Sequence, residues 1–207
     1  MLTKISQYFP TLSAEQVAQL ARLDGLYREW NDKINVISRK DIDNLYEHHV
    51  LHSLSIGKYI SFRPATSILD VGTGGGFPGI PLAILFPQCR FHLIDSIGKK
   101  VRVATEVAKA IGLRNVRCTH ENVKEERGRY DFVISRAVMN APELTRLVQN
   151  KISRVGNNAL PNGIICLKGG DLSEELSNLN RWHELTDISD YFSEPYFETK
   201  KILYIPI

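Results

Sequence analysis

The chain has 207 residues, enough for one full domain with a short extension. Its 26 basic and 23 acidic side chains leave a net charge of +3, and 43% of residues are hydrophobic against 24% charged. This ordinary globular composition excludes a disordered, collagenous or coiled-coil chain, and the mild basicity is compatible with a nucleic-acid partner without demonstrating one.

No apolar run approaches the roughly 18 residues a membrane span needs. The most apolar stretch, Phe77 to Phe86, carries Pro78, Gly79 and Pro81. Met1 to Pro10, with Lys4, Ser6 and Gln7, does not read as a secretory signal, so the expected address is cytoplasmic, with no membrane contact. Cys89, Cys118 and Cys166 are odd in number and far apart, so reduced thiols are expected rather than a disulfide framework or a zinc knuckle.

The first third reads as helix. Ser13 and Gln16 have capping-box spacing, and Val17, Leu20, Leu23, Tyr27 and Trp30 follow at helical intervals. A polar break spans Asn31 to Asn35. A second helix is predicted from near Asp41, with Leu45, His49, His52, Ile56 and Tyr59 as its apolar stripe. Arg63-Pro64-Ala65-Thr66 punctuates the chain, which predicts a helical extension over 1–64 packed on a domain over 65–207.

From Ser67 strands and helices alternate. Predicted strands are Ile68–Val71, Phe91–Asp95, Val116–Thr119, Tyr130–Arg136 and Gly163–Lys168, with two more over His183–Ile188 and Lys201–Ile205. Helices are predicted after the first strand, over Lys99–Ile111 and from Pro142. The alternation implies an α/β, Rossmann-like fold with a mostly parallel sheet.

The strongest local signal is the run Gly72-Thr73-Gly74-Gly75-Gly76-Phe77-Pro78-Gly79, directly after the first strand. Glycines let the backbone turn sharply and approach a ligand closely. Asp95 ends the next strand, where an acid can accept hydrogen bonds from two ribose hydroxyls. Asp70 can orient the loop or meet a cationic part of the ligand. Strand, loop, helix, strand and acid in this order point to an adenosine-type cofactor, either a nicotinamide dinucleotide or S-adenosylmethionine. Gly72, Gly74 and Gly76 alternate as G-x-G-x-G rather than G-x-G-x-x-G, which favours a single nucleoside with an amino-acid tail. Tyr196 and Lys200 have the Y-x-x-x-K spacing of a dehydrogenase relay, but they lead into a strand, where four-apart residues need not converge.

Ile68 to Pro81, ILDVGTGGGFPGIP, resembles the motif of the bacterial 16S ribosomal RNA guanine-N7 methyltransferase family, RsmG or GidB. The resemblance takes in Trp30, Asn31, Asn35, His49, Leu51 and Ser53, then Asp95 to Arg102, Ile134 to Ala137 and Leu167 to Gly169, roughly residues 20 to 170. It implies a class I methyltransferase fold with seven strands, the last antiparallel, S-adenosylmethionine as donor, and a guanine of the small-subunit decoding-region hairpin as substrate. Carried over by position, cofactor contacts fall on Gly72, Phe77, Val123, Lys124 and Arg136, beside Gly74, Gly76 and Asp95 from the loop reading. The chain departs from the family at Lys124, where an acid is usual, and at His52, where an aspartate is usual. A contact at 124 is then expected through the backbone.

Guanine N7 has a lone pair and no proton, so methylating it needs no general base. Arg136 is the expected catalytic residue, as a positioner at the carboxyl end of the fourth strand. Lys99, Lys100, Arg102, Arg39, Lys40 and Lys168 are candidate phosphate contacts. His48 and His52 are four apart, but no third ligand is near, so no metal is expected. A single copy with 16S rRNA or the small ribosomal subunit as partner is the expected working unit. The alternatives are a same-fold methyltransferase acting on a small molecule or protein, and a non-catalytic nucleoside- or RNA-binding module.

Overall fold

The computed structural model describes residues 2–136 and 139–207. Ala137, which closes one of the resemblance motifs, lies outside the described residues, as does Met1.

The extension begins with α1 (Leu2–Tyr8) and α2 (Ala14–Lys33). The capping box forms: Gln16 N donates to Ser13 Oγ at 3.2 Å, and Ser13 N donates to Gln16 Oε1 at 2.8 Å. The Gln16 amide also donates to Ile84 O and Leu85 O, which ties the start of α2 to the far end of a domain helix. In the polar break, Asn31 Oδ1 accepts from Val36 N and Ile37 N at 2.9 Å, so one side chain replaces the missing backbone partners.

The second predicted helix is not one regular α-helix. A short 3₁₀ turn, Ile42–Asn44, runs into a π-helix over Leu45–Leu51, followed by α3 (His52–Leu54) and α4 (Ile56–Tyr59). The wider π turn lets two consecutive residues, His48 and His49, both reach the Asp41 carboxylate, at 2.5 and 2.7 Å. Apolar periodicity predicts the buried face but is blind to this change of pitch.

The domain is a seven-stranded sheet: β1 (Ser67–Val71), β2 (Arg90–Asp95), β3 (Val116–His120), β4 (Phe132–Arg136), β5 (Gly163–Gly169), β6 (Glu184–Asp187) and β7 (Lys200–Pro206). Spatial order is β3-β2-β1-β4-β5-β7-β6, with β7 antiparallel to both neighbours and the other pairs parallel. Between strands lie α5 (Gly79–Leu85), α6 (Gly98–Ala110), α7 (Ala141–Val148) and α8 (Ser173–Ser177). The chain works outward from β1 to the β3 edge, then returns to place β4 on the other side of β1. The carboxyl ends of β1 and β4 therefore flank the switch point where such sheets bind ligands.

One hydrophobic cluster joins Leu20, Leu23, Tyr27 and Leu54 of the extension to Ile80, Leu93 and Val103 of the domain. A second, with Leu144, Val148 and Leu203, covers the other face of the sheet. The extension therefore has no core of its own. Leu23, fully buried in that shared cluster, is expected to cost about 2–5 kcal/mol when replaced in Leu23→Ala. Urea unfolding should still show one transition at lower denaturant; a separate early transition of the extension would contradict the shared core.

Candidate active-site cleft

A cleft of about 840 Å³ opens at the carboxyl ends of the central strands, with Gly72, Gly74, Phe77, Asp95, Val123 and Arg136 in its lining. Its floor is the glycine turn. Gly72 N and Thr73 N both donate to Ile94 O, fastening the turn to β2. Gly74 has φ +58°, a conformation that favours glycine, and nothing stands within 4 Å of where its Cβ would be.

Asp95, buried at the end of β2, clamps the turn from below. Its Oδ2 accepts from Gly74 N at 2.9 Å and its Oδ1 from Ile97 N at 2.8 Å. Asp70 works from within the sheet. It does not line the cleft; its Oδ2 accepts from Thr73 Oγ1 at 2.7 Å and Gly79 N at 2.9 Å. Burial pushes the Asp70 carboxyl up to about 7, against the pull of these two hydrogen bonds. Gly76 faces away from the cleft: a Cβ there would lie 2.4 Å from Ile80 Cδ1 and 3.2 Å from Tyr27 Oη. From the extension, Tyr27 Oη donates to Gly75 O at 2.8 Å. Lys124 is outside the lining, and its N–H is taken by Asn122 Oδ1.

The opposite wall is built around Arg136, which projects from the end of β4. Its Nη1 donates to His48 O at 3.2 Å and its Nη2 to His49 Nδ1 at 3.0 Å, while the guanidinium lies 5.2 Å from the Phe77 ring centroid. Phe77 in turn packs on Tyr27 at 4.7 Å and His49 at 5.3 Å. Burial and the Arg136 charge push His49 down to about 4, although Asp41 pulls the other way. His49 is therefore neutral at physiological pH, with its proton on Nε2 facing Asp41 and its Nδ1 lone pair accepting from Arg136. Burial alone would raise Asp41, but its hydrogen bonds to His48 and His49 hold it below the usual carboxylate range. The result is a fixed chain: Asp41, His49, Arg136.

Tyr196 and Lys200 both reach the cleft, and Lys200 Nζ sits 4.7 Å over the Tyr196 ring. They do converge, as a cation stacked on a ring, and Tyr196 stacks in turn on His48 at 3.8 Å. His52 is buried, with Tyr196 Oη 3.5 Å from its Nδ1. Of the candidate phosphate contacts, Lys100 and Lys168 line the cleft, but Lys168 is already held by Glu175 at 2.6 Å. Arg102 lies over the Trp30 ring, and Lys99, Arg39 and Lys40 are exposed. Sequence reasoning missed Asp41 and the loop-holding part of Tyr27. Asp41 carries no local signal, since its partners lie across a π turn, and Tyr27 reads as one more core residue of an amphipathic stripe.

Sheet order, reversed β7 and glycine turn together define a class I methyltransferase fold. Among solved structures, a SAM-dependent methyltransferase from Aquifex aeolicus matches with TM-score 0.57 at 14% identity, covering 82% of this chain and 98% of that one. MtNAS in complex with S-adenosylmethionine matches with TM-score 0.57 at 12% identity, covering 94% and 77%. At such identities the likeness concerns the fold. Residues 16–201 match the family described as rRNA small subunit methyltransferase G, and the chain belongs to that family. Proteins named ribosomal RNA small subunit methyltransferase G are 58% identical in Phocaeicola vulgatus, over 98% of this chain and 97% of the relative, and 59% identical in Bacteroides thetaiotaomicron, over 98% of each.

The raised Asp70 has a signed consequence. The folded chain keeps this proton up to about pH 7, whereas an unfolded aspartate loses it near pH 4. Between those values the native state binds more protons, so the Asp70 contribution to stability falls as pH rises. Asp70→Asn keeps an acceptor for Thr73 and Gly79. Its stability relative to the parent chain should climb between about pH 4 and about pH 7, by up to ~1.4 kcal/mol per pH unit. Urea unfolding across that range checks this, and a flat difference would contradict it.

Proposed function

We propose that this chain transfers a methyl group from S-adenosylmethionine to N7 of a guanine in the small-subunit ribosomal RNA. The observation that carries the reading is the two-walled cleft, with a carboxylate-clamped glycine turn on one side and an anchored guanidinium on the other. The family membership supplies the substrate class.

The residues fit the donor. The cleft volume lies within the range of small-molecule sites. The open space beside Gly74 leaves room for a nucleoside to approach the backbone. The Asp95 carboxylate spends two of its roughly four acceptor positions on Gly74 and Ile97, which leaves capacity for ribose hydroxyls. Gly72, Gly74, Phe77 and Val123 complete the donor's surroundings; Gly76 and Lys124 act on them from behind, through the shape of the turn and the following backbone.

When bound, the donor supplies a sulfonium methyl, which passes to N7 as the carbon–sulfur bond breaks and no proton leaves the base. The chain therefore needs no general base, and its residues align and hold. Arg136 has five N–H donors, of which His48 and His49 engage two. Among the described residues no acceptor holds the other three, which serve the donor's carboxylate or guanine O6 and leave N7 free. Asp41 and His49 fix the direction in which those donors point. Phe77 supports the guanidinium from beneath and shields the cleft floor.

Incubation with labelled donor and undermethylated small subunits, followed by mapping, should place the label on N7 of one guanine. Label on protein, on a small molecule or on another base position would overturn the reading. In the same assay Arg136→Ala should lower turnover about 10–100-fold, the kinetic equivalent of one charge-assisted hydrogen bond of ~1.5–3 kcal/mol. Its thermal unfolding should remain cooperative. Unchanged turnover would remove Arg136 from the site.

A further inference from the structure

We propose that a second groove, at the opposite end of the sheet from the cleft, binds the phosphate backbone of the RNA substrate. The inference rests on the reading of the substrate as ribosomal RNA. The groove measures about 470 Å³ and opens where β1, β2 and β3 begin. Arg90, Arg114, Arg117 and Arg129 line it above a floor that includes Phe91 and Tyr130. All four arginines are exposed.

Among the described residues no carboxylate lines this groove, and none of the four guanidiniums is in a salt bridge. The carboxylates flanking Arg129 in sequence are engaged by other groups, two of which, Ser67 and His92, line the groove. Asp131 accepts from Ser67 and Asn162, and Glu126 faces His92 and Gly128. Arg90 donates to Ala65 O at 3.3 Å, which fixes one fork at the rim. Four guanidiniums, none in a salt bridge, outnumber the Glu126 and Asp131 carboxylates held against His92 and Ser67 of the groove, and in a chain whose net charge is only +3 they concentrate positive potential at one place. The planar fork of each matches phosphate oxygens.

The helix joining groove and cleft decides the kind of anion. Helix α6 begins just after β2 ends at the cleft and finishes just before β3 begins at the groove. Lys99, Arg102 and Lys109 are exposed along one side of it, with Glu106 half-buried between them. Lys100 lines the cleft at its start, and Arg114 lines the groove just past its end. The 13 residues of α6 span roughly 20 Å. A cationic track of that length suits a ligand whose negative charge repeats along a chain. An acidic protein surface would need no track leading into the methyl-transfer cleft.

The test is equilibrium binding of small-subunit RNA over a series of salt concentrations, with the double variant Arg90→Gln/Arg117→Gln. The slope of log affinity against log salt should shrink by about 0.7–0.9 for each lost contact, so by roughly twice that for the pair, and the KM for RNA should rise. Donor affinity should stay at the parent value, which also reports that the variant is folded. Arg90→Lys/Arg117→Lys should recover most of the slope, because charge rather than fork geometry dominates it. Arg146→Gln, on the exposed side of α7, should change neither quantity. Should the double variant prove unstable, the single Arg117→Gln must show half the change.

An unchanged slope and KM in a folded variant would overturn the groove while leaving the methyl-transfer reading intact. Loss of binding to the intact subunit, with binding to naked RNA unaltered, would overturn it in favour of an acidic protein surface. If RNA binding drops as expected but mapping places the methyl elsewhere, the groove stands and the assignment of the reaction falls.

Discussion

A backbone that turns through several glycines is the least ordered part of an unfolded chain and the hardest to hold in one shape. Here the turn after β1 is held from three directions. Asp95 takes one of its N–H groups, Asp70 ties its start to the head of α5, and Tyr27 reaches across from the extension to its carbonyl. Remove the carboxylates and the turn has no fixed floor; remove the extension and it has no outer brace. The cleft depends on this arrangement, because the turn forms its floor and carries Gly72, Gly74 and Phe77 into its lining. It also explains why a helical appendage without a core of its own shares a hydrophobic cluster with the sheet. The extension completes the site as well as the core.

The second wall answers an electrostatic problem. A guanidinium half-buried at the end of β4 needs acceptors that leave some of its donors free. Carboxylates around it in a tight bidentate pair would use up its fork. Instead a neutral imidazole and a backbone carbonyl take one hydrogen bond each, and the compensating charge of Asp41 stands one residue further back, beyond His49. The π-helix makes this possible by turning His48 and His49 toward the same carboxylate. An irregular helix and a free-handed arginine are thus two sides of one construction.

Much of this was legible in the residues. The seven strands follow from alternation and turn residues and the cleft at the switch point from one glycine motif, while the reversal of the last strand came only with the family resemblance. Asp95 was placed by its position at the end of a strand, because strand ends and ligand clefts coincide in this architecture. What the sequence could not reveal lies where contacts cross long separations. Tyr27 and Gly75 are 48 positions apart, and Arg136 and His49 are 87 apart; no periodicity encodes such pairs. Gly76 shows the converse. It belongs to the motif by spacing, yet glycine there answers a φ of +108° and Ile80 packed behind it.

Position 52 shows how the Arg136 wall tolerates change. The resemblance places an aspartate there in the family, whereas this chain has His52, buried beside Tyr196. A charged histidine so close to Arg136 would be repelled, and burial together with that arginine holds His52 well below its ordinary value, so it stays neutral. Losing a carboxylate there costs little only if another offsets the guanidinium. Asp41 does so at one remove, kept ionised by two imidazole partners. The neutral His52 then packs edge-to-face against Tyr196 and Phe197, with ring centroids 5.8 and 6.1 Å away. In this chain the charge balance around Arg136 therefore rests on Asp41, at one remove through His49, and not on an acid at position 52.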